Sequence, residues 1–198
     1  MKKTPFAFVV IFLTVSIYSC SKDDSPTPAS AAALIGSYKF VSLSSKTNTT
    51  FQYTEQGVAY KDVSLSDYTS INNKGTVTLT SNQFTTNGMG YDIDDDFTYY
   101  GYENGVFIDS LVFPFQFSMP PSSSTTGYTI IGADSIIFTN GGIFSNSDID
   151  EVQGGKLVLN GNDLAITFRV GKDSSYVEQG TLIKLSQAAT GVMRFQKQ

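Results

Sequence analysis

Residues 156–170 read KLVLNGNDLAITFRV. In the second half of this stretch apolar residues alternate with Ala165, Thr167 and Arg169, which is the pattern of a strand with one buried face. Asn160-Gly161 separates the two apolar runs, and glycine readily takes the positive φ angle that a tight hairpin turn needs. The stretch therefore predicts an antiparallel β-hairpin.

The same alternation, bounded by Gly, Asn, Asp and Ser, recurs through the chain after residue 33. No helical stripe interrupts it, and Pro120–Ser124 (PPSSS) predicts a loop between two strands. Roughly eight to ten short strands at turn spacings of about 8–12 residues predict an antiparallel all-β domain, either an up-and-down barrel or a β-sandwich. Besides 156–170, strands are predicted within residues 34–43, 51–65, 75–90, 107–117, 126–139 and 176–185.

Composition excludes several classes of function. The 198-residue chain has no His, one Cys and a formal net charge of −5. An intrachain disulfide and zinc sites built from cysteine and histidine are therefore excluded, and the commonest general base is missing. The acidic balance, without a basic tract, argues against nucleic-acid binding. No nucleophile elbow or phosphate loop occurs either, so we predict that the protein is not an enzyme. The length of the chain predicts a single domain.

The first thirty residues have the pattern of a secretory signal followed by a tether. Lys2 and Lys3 precede an apolar run over residues 6–17, which spans only ~18 Å as a helix, against ~30 Å of membrane hydrocarbon. The run ends Ile17-Tyr18-Ser19-Cys20, which resembles a bacterial lipobox. That resemblance implies a signal peptide over 1–19, cleavage before Cys20, and a lipid-modified Cys20 that binds the membrane.

Residues 20–32 are predicted to be a flexible tether, with prolines at 26 and 28. Within it, Ser21-Lys22-Asp23-Asp24 resembles the export signal of Bacteroidetes lipoproteins. The resemblance implies a surface-exposed, lipid-anchored protein of the cell outer membrane.

The domain predicted over residues 33–198 resembles the lipocalin-like domains of Bacteroidetes lipoproteins. Gly36-Ser37-Tyr38 is similar to their opening Gly-x-Trp element, with Tyr38 in place of Trp, and residues 161–168 and 181–185 are similar to their later strands. The resemblance implies an up-and-down barrel whose floor is closed by Tyr38, with Arg169 or Arg194 packed on the ring. It also implies an interior that binds a small hydrophobic ligand.

An acidic run offers a candidate calcium site. Asp92, Asp94, Asp96 and Glu103 occupy the first, third, fifth and twelfth places of a calcium-loop pattern, where oxygen ligands are needed. Phe97 stands where such a loop has Gly, so the alternatives are a different, strand-borne calcium site and a solvated acidic turn. A second acidic turn, Asp148, Asp150 and Glu151, lacks a closing ligand.

A tyrosine-rich stretch offers a candidate binding surface. Tyr100 and Tyr102 share one face of a predicted strand, whereas Tyr99 takes the other. Their rings could stack on sugars, or they could pack structurally.

The leading interpretation is a non-catalytic envelope lipoprotein that binds a small hydrophobic ligand or serves as a structural module. The alternative is a surface module that binds a glycan or a protein through its tyrosine-rich loops. Neither identifies the ligand-binding residues.

Overall fold

The computed structural model of the chain describes residues 31–139 and 154–198. In these residues a four-residue helix, α1 (Ala31–Leu34), precedes nine strands. The predicted antiparallel all-β fold is confirmed, because all the strands pair in one antiparallel sheet. The strands are β1 (Gly36–Glu55), β2 (Val58–Thr69), β3 (Ile71–Leu79), β4 (Gln83–Glu103), β5 (Val106–Ile131), β6 (Ser135–Thr139), β7 (Gly154–Asn160), β8 (Asp163–Glu178) and β9 (Thr181–Lys197).

The strand pairings form a closed circuit. From β3 to β9 each strand pairs with the next, β9 pairs with β1, and β1 pairs with β3. β2 also lies between β1 and β4, directly beyond the end of β3. The circuit therefore has eight strand positions. At the position between β1 and β4, β3 occupies the lower half and β2 the upper half.

The lower part of the molecule, which we call the base, holds the core. It comprises α1, the strand segments 36–45, 71–79, 83–93, 118–131, 163–169 and 191–197, and the whole of β6 and β7. All the buried hydrophobic side chains, each at most 8% exposed, come from these segments. The aromatic rings contact one another across the interior: Phe195 lies 5.7 Å from Phe40 and 6.2 Å from Phe84, centroid to centroid.

The upper part, which we call the arm, consists of three long hairpins over residues 46–67, 94–117 and 170–190. Its six strands pair in the order β5-β4-β2-β1-β9-β8. β6 and β7 pair only within the base, so in the described chain they add no strand to the arm. Ten residues of β1 beyond Ser45 carry the arm roughly 33 Å above the base.

Each arm hairpin ends in a two-residue turn with glycine at its second position. Both residues of each turn have positive φ, for example +49° at Asn104 and +80° at Gly105. Such turns match the right-handed twist of the flanking strands and so keep a long hairpin regular. The other two turns are Gln56-Gly57 and Gln179-Gly180.

Ser70 joins the base to the arm between β2 and β3. It is 4% exposed. Its hydroxyl accepts a hydrogen bond from the Leu43 N–H at 2.7 Å and donates one to Asn73 Oδ1 at 2.6 Å. Its own N–H donates to the Leu43 carbonyl at 2.8 Å. These bonds satisfy backbone groups where the strand ladder is interrupted.

Three details of the predicted strands are wrong. Pro120–Ser124 is not a loop, because it lies within β5, opposite a part of β4 where the register shifts. Residues 176–185 form a hairpin around Gln179-Gly180 rather than one strand. A bulge opposite Gly101 and Tyr102 turns Phe107 away from the face that carries Leu111 and Phe113. The strands are also longer than predicted, because turns occur only at the two ends of the molecule.

No helix within residues 31–139 and 154–198 is long and apolar enough to cross a membrane. The predicted signal peptide and Cys20, the predicted site of lipid modification, lie outside the described residues.

Candidate functional site

Tyr38, which the resemblance predicts to close a barrel floor, is buried near the start of β1, and neither predicted arginine packs on it. Its side chain is fully buried, and its hydroxyl donates to the Leu34 carbonyl at 2.8 Å. The cation over the ring is Lys197, whose Nζ lies 5.8 Å from the ring centroid. Arg169 and Arg194 are exposed, opposite Thr190 and Ala165, on the outer surface of the sheet. Tyr38 therefore has a packing role.

The four carboxylates of the candidate calcium site are not brought together. Asp92, Asp94 and Asp96 follow one another on the same face of extended strand β4, and Glu103 ends that strand on the opposite face. Eleven residues separate Asp92 from Glu103, which is roughly 36 Å of strand. In the described part of the chain, no group of three or more His, Cys, Asp or Glu has the geometry to hold a metal ion.

Neighbouring strands supply partners for two of these aspartates. Asp92 accepts hydrogen bonds from Ser118 at 2.5 Å and from Asn72 at 2.8 Å. These two bonds lower the pKa of the Asp92 carboxyl. Asp94 accepts one from the Gln116 amide at 3.0 Å. The aspartates therefore lie on the surface of the sheet, where polar side chains of β3 and β5 bind them by hydrogen bonds.

The arm has two faces of different chemistry. Its inner face continues the core upward, because the residues opposite one another in the pairings lie on one side of the sheet. Aromatic side chains dominate it: the Phe97 and Phe113 rings stack at 5.1 Å, and the Tyr53 and Tyr60 rings also stack at 5.1 Å. Phe113 remains 40% exposed, which indicates an apolar surface that no other described strand covers.

A hydrogen-bonded pair lies on the inner face between the Phe97–Phe113 stack and the Tyr53–Tyr60 stack. The Tyr99 hydroxyl donates to Asp62 Oδ1 at 2.5 Å, and this bond raises the pKa of Tyr99 to about 12. Gly101 allows Asp109 to approach, because a Cβ at this position would lie 2.9 Å from Asp109 Oδ1. The tyrosine-rich stretch is thus divided between the two faces, as predicted, with Tyr99 on the inner one.

The outer face of the arm carries a groove of about 570 Å³ across β9, β1, β2 and β4. Most of its lining residues are of polar types, and one ion pair crosses it, with Lys46 Nζ 2.6 Å from Asp67 Oδ2. Ala188, opposite Asn48, contributes a small side chain, which leaves room above it. The lining also includes the side chains of Lys46, Asn48, Leu65, Asp67, Asp96 and Tyr100.

An aromatic strip extends from the groove toward the tip of the arm. Tyr100 lines the groove, and its ring lies 6.5 Å from that of Phe107. Phe107 in turn lies 5.8 Å from Tyr102, and Lys61 Nζ lies 5.7 Å from the Tyr102 centroid. Phe107 is 52% exposed. The bulge that moves Phe107 to the outer face therefore creates the strip.

Sequence reasoning identified the tyrosines of this surface but not the groove. The groove residues come from four segments, 46–48, 65–67, 96–100 and 188–190, whose spacing along the chain carries no motif. The bulge at Phe107 also had no sequence signal. The second acidic turn, Asp148, Asp150 and Glu151, lies outside the described residues.

Comparison of the chain with family models, curated proteins and solved structures finds no match.

Proposed function

We propose that the chain is a lipid-anchored cell-envelope protein whose β domain works by binding, and that the arm is its binding element. The observation that carries this proposal is the contrast between a base whose large apolar side chains are buried and an arm that exposes aromatic and aliphatic side chains. Large exposed apolar surfaces are uncommon on soluble monomers and usually mark interaction sites.

The position of the chain's described start supports an arm that points away from the anchor. β1 begins at the base, at Gly36, and runs to the tip of the arm at Glu55. At full extension, the eleven steps from Cys20 to Ala31 span at most roughly 36 Å. A lipid on Cys20 would therefore keep the base near the membrane, with the three hairpin tips facing outward.

Two features favour binding over catalysis. The sequence contains no His, so general acid–base chemistry would rest on carboxyl groups or tyrosines. A carboxyl group that donates a proton near neutral pH needs a raised pKa. Two aspartates of the described chain have a lowered carboxyl pKa instead. Hydrogen bonds from Ser118 and Asn72 lower the pKa of Asp92, and a hydrogen bond from Lys156 lowers that of Asp134.

Metabolic labelling with radioactive palmitate tests the anchor. The full-length chain should incorporate label and fractionate with membranes, whereas Cys20→Ala should do neither. Equal labelling of the two proteins would refute the anchor. Protease treatment of intact cells then tests display, because an outward arm predicts cleavage at the hairpin tips without lysis.

A second candidate function is the binding of a small hydrophobic ligand, and the inner face of the arm favours it. The stacked Phe97 and Phe113 lie directly above the core, and Tyr68 and Phe115 continue the rings downward at 6.3 Å. A fluorescent fatty acid should bind with an affinity that Phe113→Ser lowers and Val112→Ser, on the outer face, does not. Equal affinity for both variants would dismiss this site.

A further inference from the structure

We infer that the outer groove and the aromatic strip beyond it form one site for an uncharged oligosaccharide. This inference rests on the proposed function and names the ligand class of the arm. It concerns the outer face only, so it is independent of a hydrophobic ligand on the inner face.

The size and lining of the groove fit such a ligand. Its volume of about 570 Å³ lies within the usual range for small-molecule sites. Sugar hydroxyls both donate and accept hydrogen bonds, and the groove offers partners of both kinds in the carboxylates of Asp67 and Asp96 and the amide of Asn48. Leu65, 38% exposed, offers an apolar contact in the same groove.

The aromatic strip favours a chain of sugars over a single small polar molecule. Tyr100, Phe107 and Tyr102 follow the groove in sequence toward the tip, each ring within 6.5 Å of the next. An aromatic face packs on the C–H face of a sugar ring. The three rings are inclined to one another, by 54° between Tyr100 and Phe107 and by 70° between Phe107 and Tyr102, so they offer separate, differently oriented contacts beyond the groove. Affinity is therefore expected to rise with the number of sugar units.

The charges of the groove favour a neutral ligand. Lys46 is already paired with Asp67, so it does not provide a free cation for an anionic group. Asp96 adds a negative charge that opposes uronic acids and sulfated sugars. No single charge dominates the site, so hydrogen bonds and ring stacking would determine recognition.

Affinity electrophoresis of the purified full-length chain tests the inference against soluble starch, mannan, xylan, polygalacturonate and heparin. Isothermal titration then uses linear oligomers, from disaccharide to hexasaccharide, of whichever neutral polymer retards the protein. We expect retardation by a neutral polymer and tighter binding with each added unit. Tyr100→Ala should weaken binding about tenfold, whereas Tyr100→Phe, which keeps the ring, should preserve it.

A matched pair on β1 controls for general effects. Asn48→Ala, in the groove, should weaken binding roughly fivefold, and Thr49→Ala, on the inner face, should not change it. Failure to bind any neutral polymer, preference for the two anionic polymers, or equal binding by the two alanine variants would each overturn the inference. None of these outcomes would alter palmitate labelling of Cys20 or display of the arm, so the two proposals fail separately.

Discussion

The base and the arm are made from the same continuous strands, yet they differ in what holds them together. In the base the large apolar side chains form one buried cluster, in which Tyr38, Phe40, Phe84 and Phe195 are at most 1% exposed. In the arm the strands keep their hydrogen bonds, but in the described chain no second layer covers either face. The arm therefore depends on backbone pairing, type I′ turns and ring stacking between neighbouring strands.

This difference predicts a division of roles, in which the base provides stability and the arm provides the proposed binding surface. Burial of apolar area is the main source of folding free energy, so the base should carry most of the stability. Side chains of the arm are then free to serve binding, because changing them costs little. The division can be tested with paired substitutions, one in each region.

The largest difference is expected for phenylalanine. Phe195→Ala removes a ring that contacts Phe40 and Phe84, and it should lower the free energy of unfolding by about 3–5 kcal/mol. Phe107→Ala removes a half-exposed ring from the arm and should lower it by about 1 kcal/mol. Urea unfolding followed by circular dichroism measures both. Equal losses would contradict the division.

A glycine pair should give the next effect. A Cβ at Gly191 would lie 2.5 Å from Cε2 of Phe168, whose ring covers the glycine in the base. Gly191→Ala should therefore cost about 1–3 kcal/mol through overpacking. At Gly171, in the arm, the nearest atom is the Gln187 carbonyl oxygen at 4.0 Å. Gly171→Ala should leave the unfolding midpoint unchanged or raise it, and a comparable loss there would show that the arm is packed more tightly than described.

The junction between the regions should be intermediate. Ser70→Ala leaves the buried Leu43 N–H without its partner, so we expect a loss of about 1–3 kcal/mol in urea unfolding. The matched control is Ser44→Ala, because Ser44 accepts only an exposed hydrogen bond from Thr69 at 3.1 Å. That variant should lie within about 0.5 kcal/mol of the parent. A neutral Ser70→Ala would show that the junction does not need the hydroxyl.

Two tyrosines, one in each region, titrate late for different reasons and change the free energy of unfolding only at alkaline pH. Burial raises the pKa of Tyr91 in the base from 10.0 to about 12, and the hydrogen bond to Asp62 does the same for Tyr99 in the arm. A raised pKa favours the neutral, folded form, so this stabilisation is complete below pH 10 and is lost as pH rises through 12.

Tyrosinate absorbance during an alkaline titration separates the two causes. Asp62→Asn should lower the pKa of Tyr99 toward 10 and leave Tyr91 near 12. Tyr91→Phe and Tyr99→Phe assign the two steps. A shift of both tyrosines in Asp62→Asn, or of neither, would contradict the assignment.

The fold was more predictable in the base than in the arm. Leu164, Ile166 and Phe168 alternate with polar residues because one face of their strand lies in the core, so the 156–170 hairpin could be predicted. The tip Asn104-Gly105 has the Asn-Gly pair typical of hairpin turns, whereas the two Gln-Gly tips lack the usual Asn or Asp. Pro120 and Pro121 indicated a loop, but β5 accommodates them opposite Gly90, whose missing Cβ permits backbone contact with Pro121.

The candidate site was less predictable. Alternation places Tyr100 and Tyr102 on one face, and the structure agrees. The groove, however, depends on the register of four strands, which aligns Asn48 with Leu65 and with Ala188. The calcium-loop pattern predicts a site only if the residues fold into a compact loop that brings the carboxylates together. Here the same residues form an extended strand, which holds Asp92 and Glu103 far apart.

The course of β1 also has a mechanical consequence. This strand starts at the base and runs without a break to the far end of the molecule, flanked by β9 on one side and by β3 and β2 on the other. If the domain is tethered near residue 31 and pulled by something held on the arm, the load acts along the strand. Interstrand hydrogen bonds lie perpendicular to that direction. The force therefore loads many of them at once in shear, and the strand cannot be pulled away by breaking them one after another.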